Sequence, residues 1–307
     1  MSSSAAIHRI PPFTLVARLR TWWIILRISI EERLVYRGEF MLGTLMRFLP
    51  LVSQIFLLQA VFNATAPDNS AAGTATSAHS SSTIAGYTYY NFIAYFLLTM
   101  VTRAFSSMPT LASGIARSIR DGTIKKYLVQ PVDMLGFLLI CRVAHKLVYY
   151  LVAILPFAFV FYLCRGYFTG GWPPAPEMAA YVASLVMSFL LGYFLDATIG
   201  LIGFWFLEVS SLLFVYMLLS YFLSGQMFPL DMLDKFTIVR SITAGDLVRM
   251  TPIQYLAYFP ATIFLGKIHG AKLLWGLAGE LAWLLVMMGI CRFAFNRGVR
   301  RYSAYGG

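Results

Sequence analysis

One apolar run, residues 178–223, constrains the fold of this chain more than any other feature. A helix needs about 20 mostly apolar residues to cross a bilayer, so this run must hold two crossings and a turn between them. We expect the turn near the acidic residues Asp196 and Glu208. The glycines Gly200 and Gly203 lie between these two acids and suit a tight turn.

The composition places the chain among polytopic membrane proteins. Hydrophobic residues make up 59% of its 307 residues and charged residues 12%, whereas a soluble domain carries about 25% charged residues. The net charge of +11 does not indicate a protein that binds nucleic acid, because the basic residues form clusters beside apolar runs. Cytoplasmic loops of membrane proteins show this pattern. We therefore expect membrane lipid, and no nucleic acid, around the chain.

Apolar runs of sufficient length predict six membrane-spanning helices. The predicted spans are residues 40–62, 84–102 and 135–163, one span that begins near 178, one that ends near 223, and residues 271–293. The expected fold is an all-α polytopic membrane protein that forms a single transmembrane domain over residues 1–307.

Lys and Arg are concentrated in three regions that six spans would place on one side of the membrane. These regions are the amino-terminal segment, the loop after the second predicted span, and the carboxy-terminal tail. The positive-inside rule assigns that side to the cytoplasm. Residues 63–82 contain neither Lys nor Arg, and we place them outside together with residues 165–176 and 228–270. Both termini are thus predicted to be cytoplasmic.

Residues 11–39 predict a helix that lies along the membrane surface. A Pro-Pro pair suits a helix start, and apolar residues then recur at helical spacing while basic residues occupy other faces. The apolar set is Leu15, Leu19, Trp22, Trp23, Leu26 and Ile30. Two roles stay open for this helix: an anchor that holds the first span, or a lever that also contacts a cytoplasmic partner.

The loop between the second and third predicted spans, residues 103–134, has apolar residues that a plain linker would not need. These apolar residues are Ile115 and Ile119 before the glycine Gly122, and Ile124 and Leu128 after it. We predict a short helix, a glycine turn, and a second short helix ended by Pro131. These apolar residues indicate docking against a protein surface, while a solvated cytoplasmic loop is the simpler alternative.

Residues 224–270, before the last predicted span, form neither a span nor a simple loop. The chain breaks at Ser224-Gly225 and again at Phe228-Pro229, and its later apolar piece, residues 253–265, is too short to cross. Irregular backbone at membrane depth must be covered by protein or line a water-filled cavity. We therefore predict short re-entrant helices on the external side that cap an exit route.

Taken in this order around six spans, these segments resemble the permease subunits of type-2 ATP-binding-cassette exporters. The likeness is closer to the bacterial subgroup whose permeases come as adjacent, related pairs served by one ATPase. Residues 119–133 read IRDGTIKKYLVQPVD and are similar to that subgroup's pattern I-x-x-G-x-[ILV]-x-x-x-L-x-x-P-[VIL]-[DN]. Further similar stretches are LSG at 223–225, FPL at 228–230, TP at 251–252, YFPA at 258–261 and GVRRYSAYGG at 298–307.

The resemblance implies a permease that dimerises, lines a transport route and couples to a cytoplasmic ATPase. In that family the loop between the second and third spans carries the coupling helix. By this resemblance, the residues expected to couple to the ATPase are Arg117, Arg120, Asp121, Gly122, Lys125, Lys126 and Tyr127. The chain breaks predict an external gate formed by Ser224, Gly225, Phe228 and Pro229. The expected partners are the ATPase, a second permease chain that is homologous or identical, and the lipid of a bacterial cytoplasmic membrane.

The sequence holds no motif for chemistry of its own. The phosphate-binding pattern G-x-x-x-x-G-K-[ST] is absent, so ATP and Mg²⁺ are expected on the partner ATPase and no cofactor is expected on this chain. The four histidines are scattered and form neither a metal motif nor a catalytic arrangement. We expect neither a catalytic site nor a metal site.

Four ionisable residues fall inside or beside predicted spans: Arg47, Asp196, Glu208 and Glu280. Such residues cost at least about 2.5–3.5 kcal/mol inside a membrane and tend to face a cavity or a partner. Glu280 has two interpretations: a buried structural pair, for example with Arg47 or a partner subunit, or a polar point on the transport route. For Arg47, the simpler alternative is a side chain that snorkels to the cytoplasmic surface.

An ion- or proton-driven secondary carrier is the alternative function. Such carriers usually show internal repeats with interrupted spans in matching halves. The sequence shows one interrupted region, in residues 224–266, and no counterpart in its first half. The exporter permease is therefore the favoured prediction, and the substrate is not readable from the sequence.

Overall fold

Helices form nearly all of the described chain. The structure, a computed structural model, describes residues 15–35, 37–65, 83–168, 171–206, 208–239 and 242–302. Its helices are α1 (Leu15–Leu34), α2 (Arg37–Thr65), α3 (Tyr89–Ser106), α4 (Leu111–Arg120), α5 (Lys125–Val129), α6 (Met134–Leu163), α7 (Ala175–Leu201), α8 (Ser210–Leu223), α9 (Ala244–Arg249), α10 (Tyr258–Phe264) and α11 (Gly270–Arg301). Short 3₁₀ turns span Arg165–Tyr167, Ile202–Phe204, Leu230–Lys235 and Pro252–Leu256, and the antiparallel strands β1 (Thr237–Val239) and β2 (Ile242–Thr243) form a small hairpin.

Five helical stretches within the described residues are long and apolar enough to cross a membrane. They are Gly38–Ala64, Tyr89–Arg120, Met134–Leu163, Ala175–Phe204 and Gly270–Arg301. The chain is thus an all-α polytopic membrane protein, as its sequence predicts. The apolar helix α8 has 14 residues and extends about 21 Å, which is less than the roughly 30 Å of a bilayer core. The predicted number of six spans stays a prediction.

The turn inside the long apolar run lies later than the sequence predicts. Helix α7 continues through Asp196 and Gly200 to Leu201, and the chain turns between there and Ser210. Asp196 is therefore a helix residue and not part of the turn. The hydroxyl of Tyr216 on α8 donates to its Oδ1 at 2.7 Å. Glu208 does lie in the turn, where its Oε1 accepts from the backbone N–H of Ser210 at 2.9 Å.

Gly200 lies in α7 and Gly203 lies in the turn that follows it, and both glycines pack closely against α4. A Cβ at Gly200 would lie 2.7 Å from the carbonyl oxygen of Ala112, and one at Gly203 would lie 3.2 Å from the Cα of Ala116. Both contacts are with α4. Small residues at such positions let two backbones approach closely in a membrane, so these glycines let α4 pack closely on the end of α7 and on the turn after it.

The centre of the bundle consists of α3, α7 and α10, which pack against one another. Helix α3 is the most buried of the long helices, and Ile93, Tyr95 and Leu97 on it are shielded from the surroundings. Helix α11 packs along α7, α2 packs between α3 and α6, and α1 packs on α6. The side chain of Trp22 on α1 covers Gly136, and Ser29 lies beside Cys141, with Oγ and Sγ 3.6 Å apart.

Helix α1 offers a second apolar side that no described residue covers. Leu19, Trp23, Ile24 and Ile28 are exposed there. A helix that packs on a span and keeps such a side open is compatible with lipid contact. Its orientation in the plane of the membrane stays a prediction.

The bundle has two ends with different structures. We call one the α4–α5 end; it holds α4, α5, the start of α6 and the last turns of α11. Asp133 caps α6 by accepting from the N–H of Gly136 at 2.8 Å, and it binds the guanidinium of Arg292 with a shortest distance of 2.5 Å. At the opposite end, the hydroxyl of Tyr87 donates to Asp231 at 2.7 Å. Helix α3 runs from the opposite end toward the α4–α5 end.

Candidate functional site

The α4–α5 segment consists of a short helix, a glycine turn and a second short helix, which is the structure that the sequence predicts. The side of α4 that faces α7 is buried through Leu111, Ile115 and Ile119. Gly122 adopts a φ of +72°, which favours glycine. The N–H of Ile124 then donates to the carbonyl of Ser118 at 2.9 Å, and the Ile124 side chain is fully buried. The apolar residues therefore hold this segment in a fixed position on the bundle.

The charged side chains of the same segment point away from the bundle. Arg117, Arg120, Asp121, Lys125 and Lys126 are exposed, and Val129 at the end of α5 is 86% exposed. The Nε of Arg120 lies 3.3 Å from Oδ1 of Asp121. The segment thus presents basic groups next to an apolar tip.

Tyr127 and Glu208 complete this end of the molecule. The half-buried ring of Tyr127 packs against Phe137 with centroids 5.7 Å apart, and the Nζ of Lys126 lies 4.8 Å from the Tyr127 centroid. Glu208 is exposed and lies 3.9 Å from Nη1 of Arg120. Hydrogen bonds from Ser210 lower the pKa of the Glu208 carboxyl. Its carboxylate thus lies on the surface of the chain beside α4, and its role as an intramembrane polar point stays a prediction.

Residues 224–266, which we call the inserted segment, fold back into the bundle. Its freed backbone groups find partners inside the protein. The N–H of Tyr258 donates to the carbonyl of Ser224 at 2.9 Å, and the hydroxyl of Tyr95 donates to the carbonyl of Gly225 at 2.5 Å. Irregular backbone at membrane depth requires such partners.

Two serines hold the deepest part of the inserted segment. Ser106, the last residue of α3, donates to the carbonyl of Leu256 at 2.7 Å. Ser188 on α7 donates to the carbonyl of Tyr255 at 2.6 Å. Because α3 starts at the opposite end of the bundle, the segment extends along much of the length of α3.

The four residues of the predicted gate form the bend that starts this segment. Ser224, Gly225 and Pro229 are buried and Phe228 is half-buried. Gly225 has a φ of +79°, and a Cβ there would lie 2.7 Å from the hydroxyl of Tyr95. The bend is thus closely packed against α3 and α10, and its role as a gate stays a prediction.

A charged cluster secures the inserted segment at the opposite end. Asp231 accepts from the hydroxyls of Tyr87 and Tyr258 at 2.7 and 2.6 Å and from Nη2 of Arg249 at 2.9 Å. Although burial acts against it, hydrogen bonding to Asp234 raises the pKa of the Arg249 guanidinium. Burial lowers the pKa of Lys267 to about 8, against the attraction of Asp231. This cluster is not recognisable in the sequence, since its members are spread from residue 87 to residue 267.

Glu280 lies in the middle of α11 and is fully buried. The hydroxyl of Ser184 donates to its Oε2 at 2.7 Å, and the Oγ of Ser188 lies 3.2 Å from its Oε1. Within the described residues no Lys or Arg lies at ion-pair distance from it. The suggested pair with Arg47 is not formed, because Arg47 sits over the ring of Tyr149, 5.7 Å from its centroid. The spacing of four residues between Ser184 and Ser188 in an apolar helix is the signal that could have indicated this site.

Arg47 lines two adjoining cavities between α2, α3, α7 and α8. The cavities have volumes of about 310 and 400 Å³, and both are lined by Arg47, Arg103 and Ser107. The Nε of Arg103 donates to Oε1 of Gln226 at 3.1 Å. The sequence places Arg103 at the start of a cytoplasmic loop, but α3 continues past it to Ser106. Asp196 lines the larger cavity.

No group of three or more His, Cys, Asp or Glu side chains in the described part of the chain could hold a metal ion. The site residues of this chain instead bind backbone, line cavities or form an exposed surface. Apolar spans around an inserted, irregular segment and ionisable cavities are typical of a membrane transport protein.

The comparison with protein families agrees with that class. The model of a family described as ABC-2 family transporter protein matches residues 75–306. This match covers more than half of the chain, so the chain belongs to the ABC-2 family of transporters. No curated protein matches the chain.

Proposed function

We propose that this chain is the permease subunit of an ABC exporter, forming the transport route and coupled to a separate cytoplasmic ATPase. ATP and Mg²⁺ are then bound by that partner. Membership of the ABC-2 family supports the proposal. The observation that carries it is the α4–α5 segment, which is fixed on its buried side and exposed on its basic side.

The α4–α5 surface has the chemistry of a docking site for another protein. Lys125 and Lys126 supply positive charge, and the exposed Val129 supplies an apolar contact beside them. Charged groups steer association and fix orientation, while apolar groups contribute affinity.

The cytoplasmic side is proposed to be the α4–α5 end. The pair between Asp133 and Arg292 places the end of α11 beside this segment, and the sequence shows Lys and Arg concentrated in both regions. Both termini are then cytoplasmic, and the membrane is the cytoplasmic membrane of a bacterium, as for the paired-permease subgroup.

A second permease chain is proposed to complete the route. Within α8, which the structure describes in full, Ser220 is the buried residue. Phe214, Met217 and Leu218 on this helix are exposed. Lipid alone would leave a short helix with few contacts in the bilayer, whereas a second chain would cover it. The partner is a homologous or identical copy.

The docking proposal is tested by co-purifying the chain with its proposed ABC ATPase partner. The double variant K125E/K126E is expected to lose ATPase capture and the stimulation of ATP hydrolysis by at least about tenfold, because both charges face the partner. The matched control is K235E/K272E, which makes the same charge change at two exposed lysines of the opposite end. Undiminished ATPase capture by K125E/K126E contradicts the assignment.

An ion- or proton-driven carrier is the second candidate, and the buried Glu280 is the observation that favours it. A carboxyl group without a cation at membrane depth suits a proton site. The same co-purification separates the two functions, because a carrier neither captures nor stimulates an ATPase. Membership of the ABC-2 family favours the permease.

A further inference from the structure

The two cavities lined by Arg47 and Arg103 hold more positive than negative charge. The guanidinium of Arg103 donates to Gln226 at 3.1 Å and to Ser106 at 3.4 Å, and both partners are neutral. Arg47 lies over the ring of Tyr149. Among the described residues, no carboxylate lies at ion-pair distance from either guanidinium. An arginine stays charged at any physiological pH, so both positive charges lack a paired anion.

The neighbouring charged groups do not remove this imbalance. Asp196 faces the larger cavity, but its Oδ1 accepts from the hydroxyl of Tyr216 at 2.7 Å. Lys146 lies nearby, and its Nζ donates to the carbonyls of Ala104 and Ser107 at the end of α3. Those carbonyls offset the ammonium charge, as the end of a helix dipole does. One carboxylate thus accompanies two unpaired guanidiniums.

The walls of the cavities are largely apolar away from the arginines. Leu51, Phe96 and Met100 line the smaller cavity, and Leu213 and Met217 line the larger one. Gln54, Ser107 and Gln226 add neutral hydrogen-bonding groups beside the charges. Cavities that are lined by the same two arginines and have apolar walls match a molecule with an anionic head and an apolar body.

We propose that this cleft binds the anionic headgroup of an amphipathic molecule, with Arg47 and Arg103 as the groups that recognise it. The headgroup is a carboxylate or a phosphate, and its source is either a single-chain compound or a membrane lipid. That this molecule is the transported cargo rests on the proposed permease function. Its binding to the cleft does not rest on that function, because the cleft belongs to this chain alone.

The test uses the full chain in nanodiscs of phosphatidylcholine, without an ATPase. The probe is cis-parinaric acid, a fatty carboxylate whose fluorescence rises in an apolar site. R47Q and R103Q are each expected to weaken binding at least about tenfold, and the double variant more, because each removes a charge-assisted hydrogen bond. The matched control is R165Q. Arg165 lines a separate aromatic cavity over the ring of Tyr162, so that variant should bind the probe as the unmodified chain does.

Competition identifies the headgroup and its source. Dodecyl phosphate is expected to displace the probe, and dodecyltrimethylammonium is not. Displacement by phosphatidylglycerol as well supports a lipid headgroup as the ligand, and displacement by dodecyl phosphate alone supports a single-chain compound. Both results support an anion site. R103K, which keeps the charge, is expected to retain most of the affinity and provides a readout if R103Q folds poorly.

Three results overturn the proposal. They are equal probe affinity in R47Q and the unmodified chain, equal competition by the ammonium and the phosphate, and no anion binding at all. The last result is expected if a carboxylate of a second permease copy fills the cleft. Since no ATPase is present, failure here leaves the docking proposal standing, and failure of K125E/K126E to uncouple leaves the anion site standing.

Discussion

Glu280 joins α11 to α7 through two serine hydroxyls. Ser184 donates to its Oε2 at 2.7 Å, and the Ser188 hydroxyl reaches both its Oε1 at 3.2 Å and the carbonyl of Tyr255 at 2.6 Å. A hydroxyl has one proton to donate, so the carboxyl group and this carbonyl share the proton of Ser188. The residue is best described as a hydrogen-bonded link between α11 and α7.

Replacing Glu280 tests this description. E280Q is expected to preserve thermal stability in detergent, because the amide can donate to Ser188 and accept from Ser184. E280L is expected to destabilise the bundle by about 1–3 kcal/mol, because it leaves the Ser184 hydroxyl without an acceptor. The control is E32L, at an exposed position of α1. Equal damage by E280Q and E280L would show that the bundle requires a carboxylate.

His269 carries a pH-dependent contact between the start of α11 and α7. Its Nδ1 lies 2.6 Å from Oε1 of Glu177, and this hydrogen bond raises the pKa of the imidazole above 6.5. Because the folded pKa is raised, the contact contributes its full stability below the unfolded pKa and loses it as pH rises through the folded pKa.

The expected result is a stability difference between the unmodified chain and H269Q that is largest near pH 5 and small near pH 9. Thermal unfolding in detergent at a series of pH values measures it. A difference that does not change with pH would show that the ion pair is absent.

At the scale of elements, the inserted segment depends on Ser106 and Ser188. The double variant S106A/S188A leaves the carbonyls of Leu256 and Tyr255 without their partners. We expect hydrogen exchange to accelerate at least about tenfold in Pro252–Leu256 and α10, and to stay unchanged in α5. S113A, at an exposed serine of α4, is the control. Unchanged exchange in α10 would show that side-chain packing alone holds the segment.

The sequence predicts those elements whose breaks arise from local chemistry. The turn at Gly122 and the stop at Pro131 follow from what glycine and proline do to a backbone, so the α4–α5 segment is predictable. The turn after α7 is not, because Asp196 is stabilised in its helix by Tyr216, twenty residues later. Gly200 suits either a turn or a close helix contact, and the nearby α4 decides for the helix contact.

In the candidate sites, too, local sequence features are predictable and contacts between distant residues are not. The exposed charges of the α4–α5 segment are visible in the sequence, since they alternate with the buried isoleucines. Arg103 is not recognisable as a cavity residue, because its partner Gln226 lies 123 positions away in the chain. Contacts across such distances depend on how the helices pack, which periodicity does not report.

At the scale of the whole molecule, the two ends predict a sidedness that can be measured. Thr123 is exposed at the α4–α5 end and Thr237 is exposed at the opposite end. In intact cells, a membrane-impermeant maleimide is expected to label T237C and to leave T123C unlabelled until the cells are opened. Both variants are made in a chain whose three cysteines are replaced by serine. Labelling of T123C in intact cells contradicts the proposed orientation.

The break between α3 and α4 has a mechanical consequence for the whole molecule. Residues 107–110 alone separate Ser106, which holds Leu256, from the helix whose buried side rests on Gly200 and Gly203. A push on α4 from outside the membrane therefore reaches the core of the inserted segment through one short connection, with little slack to absorb it. Helix α8 joins the same segment from its other side, because Leu223 runs directly into Ser224, whose carbonyl accepts from Tyr258. A displacement of α4 should thus be felt at the bend of the predicted gate as well as at Leu256.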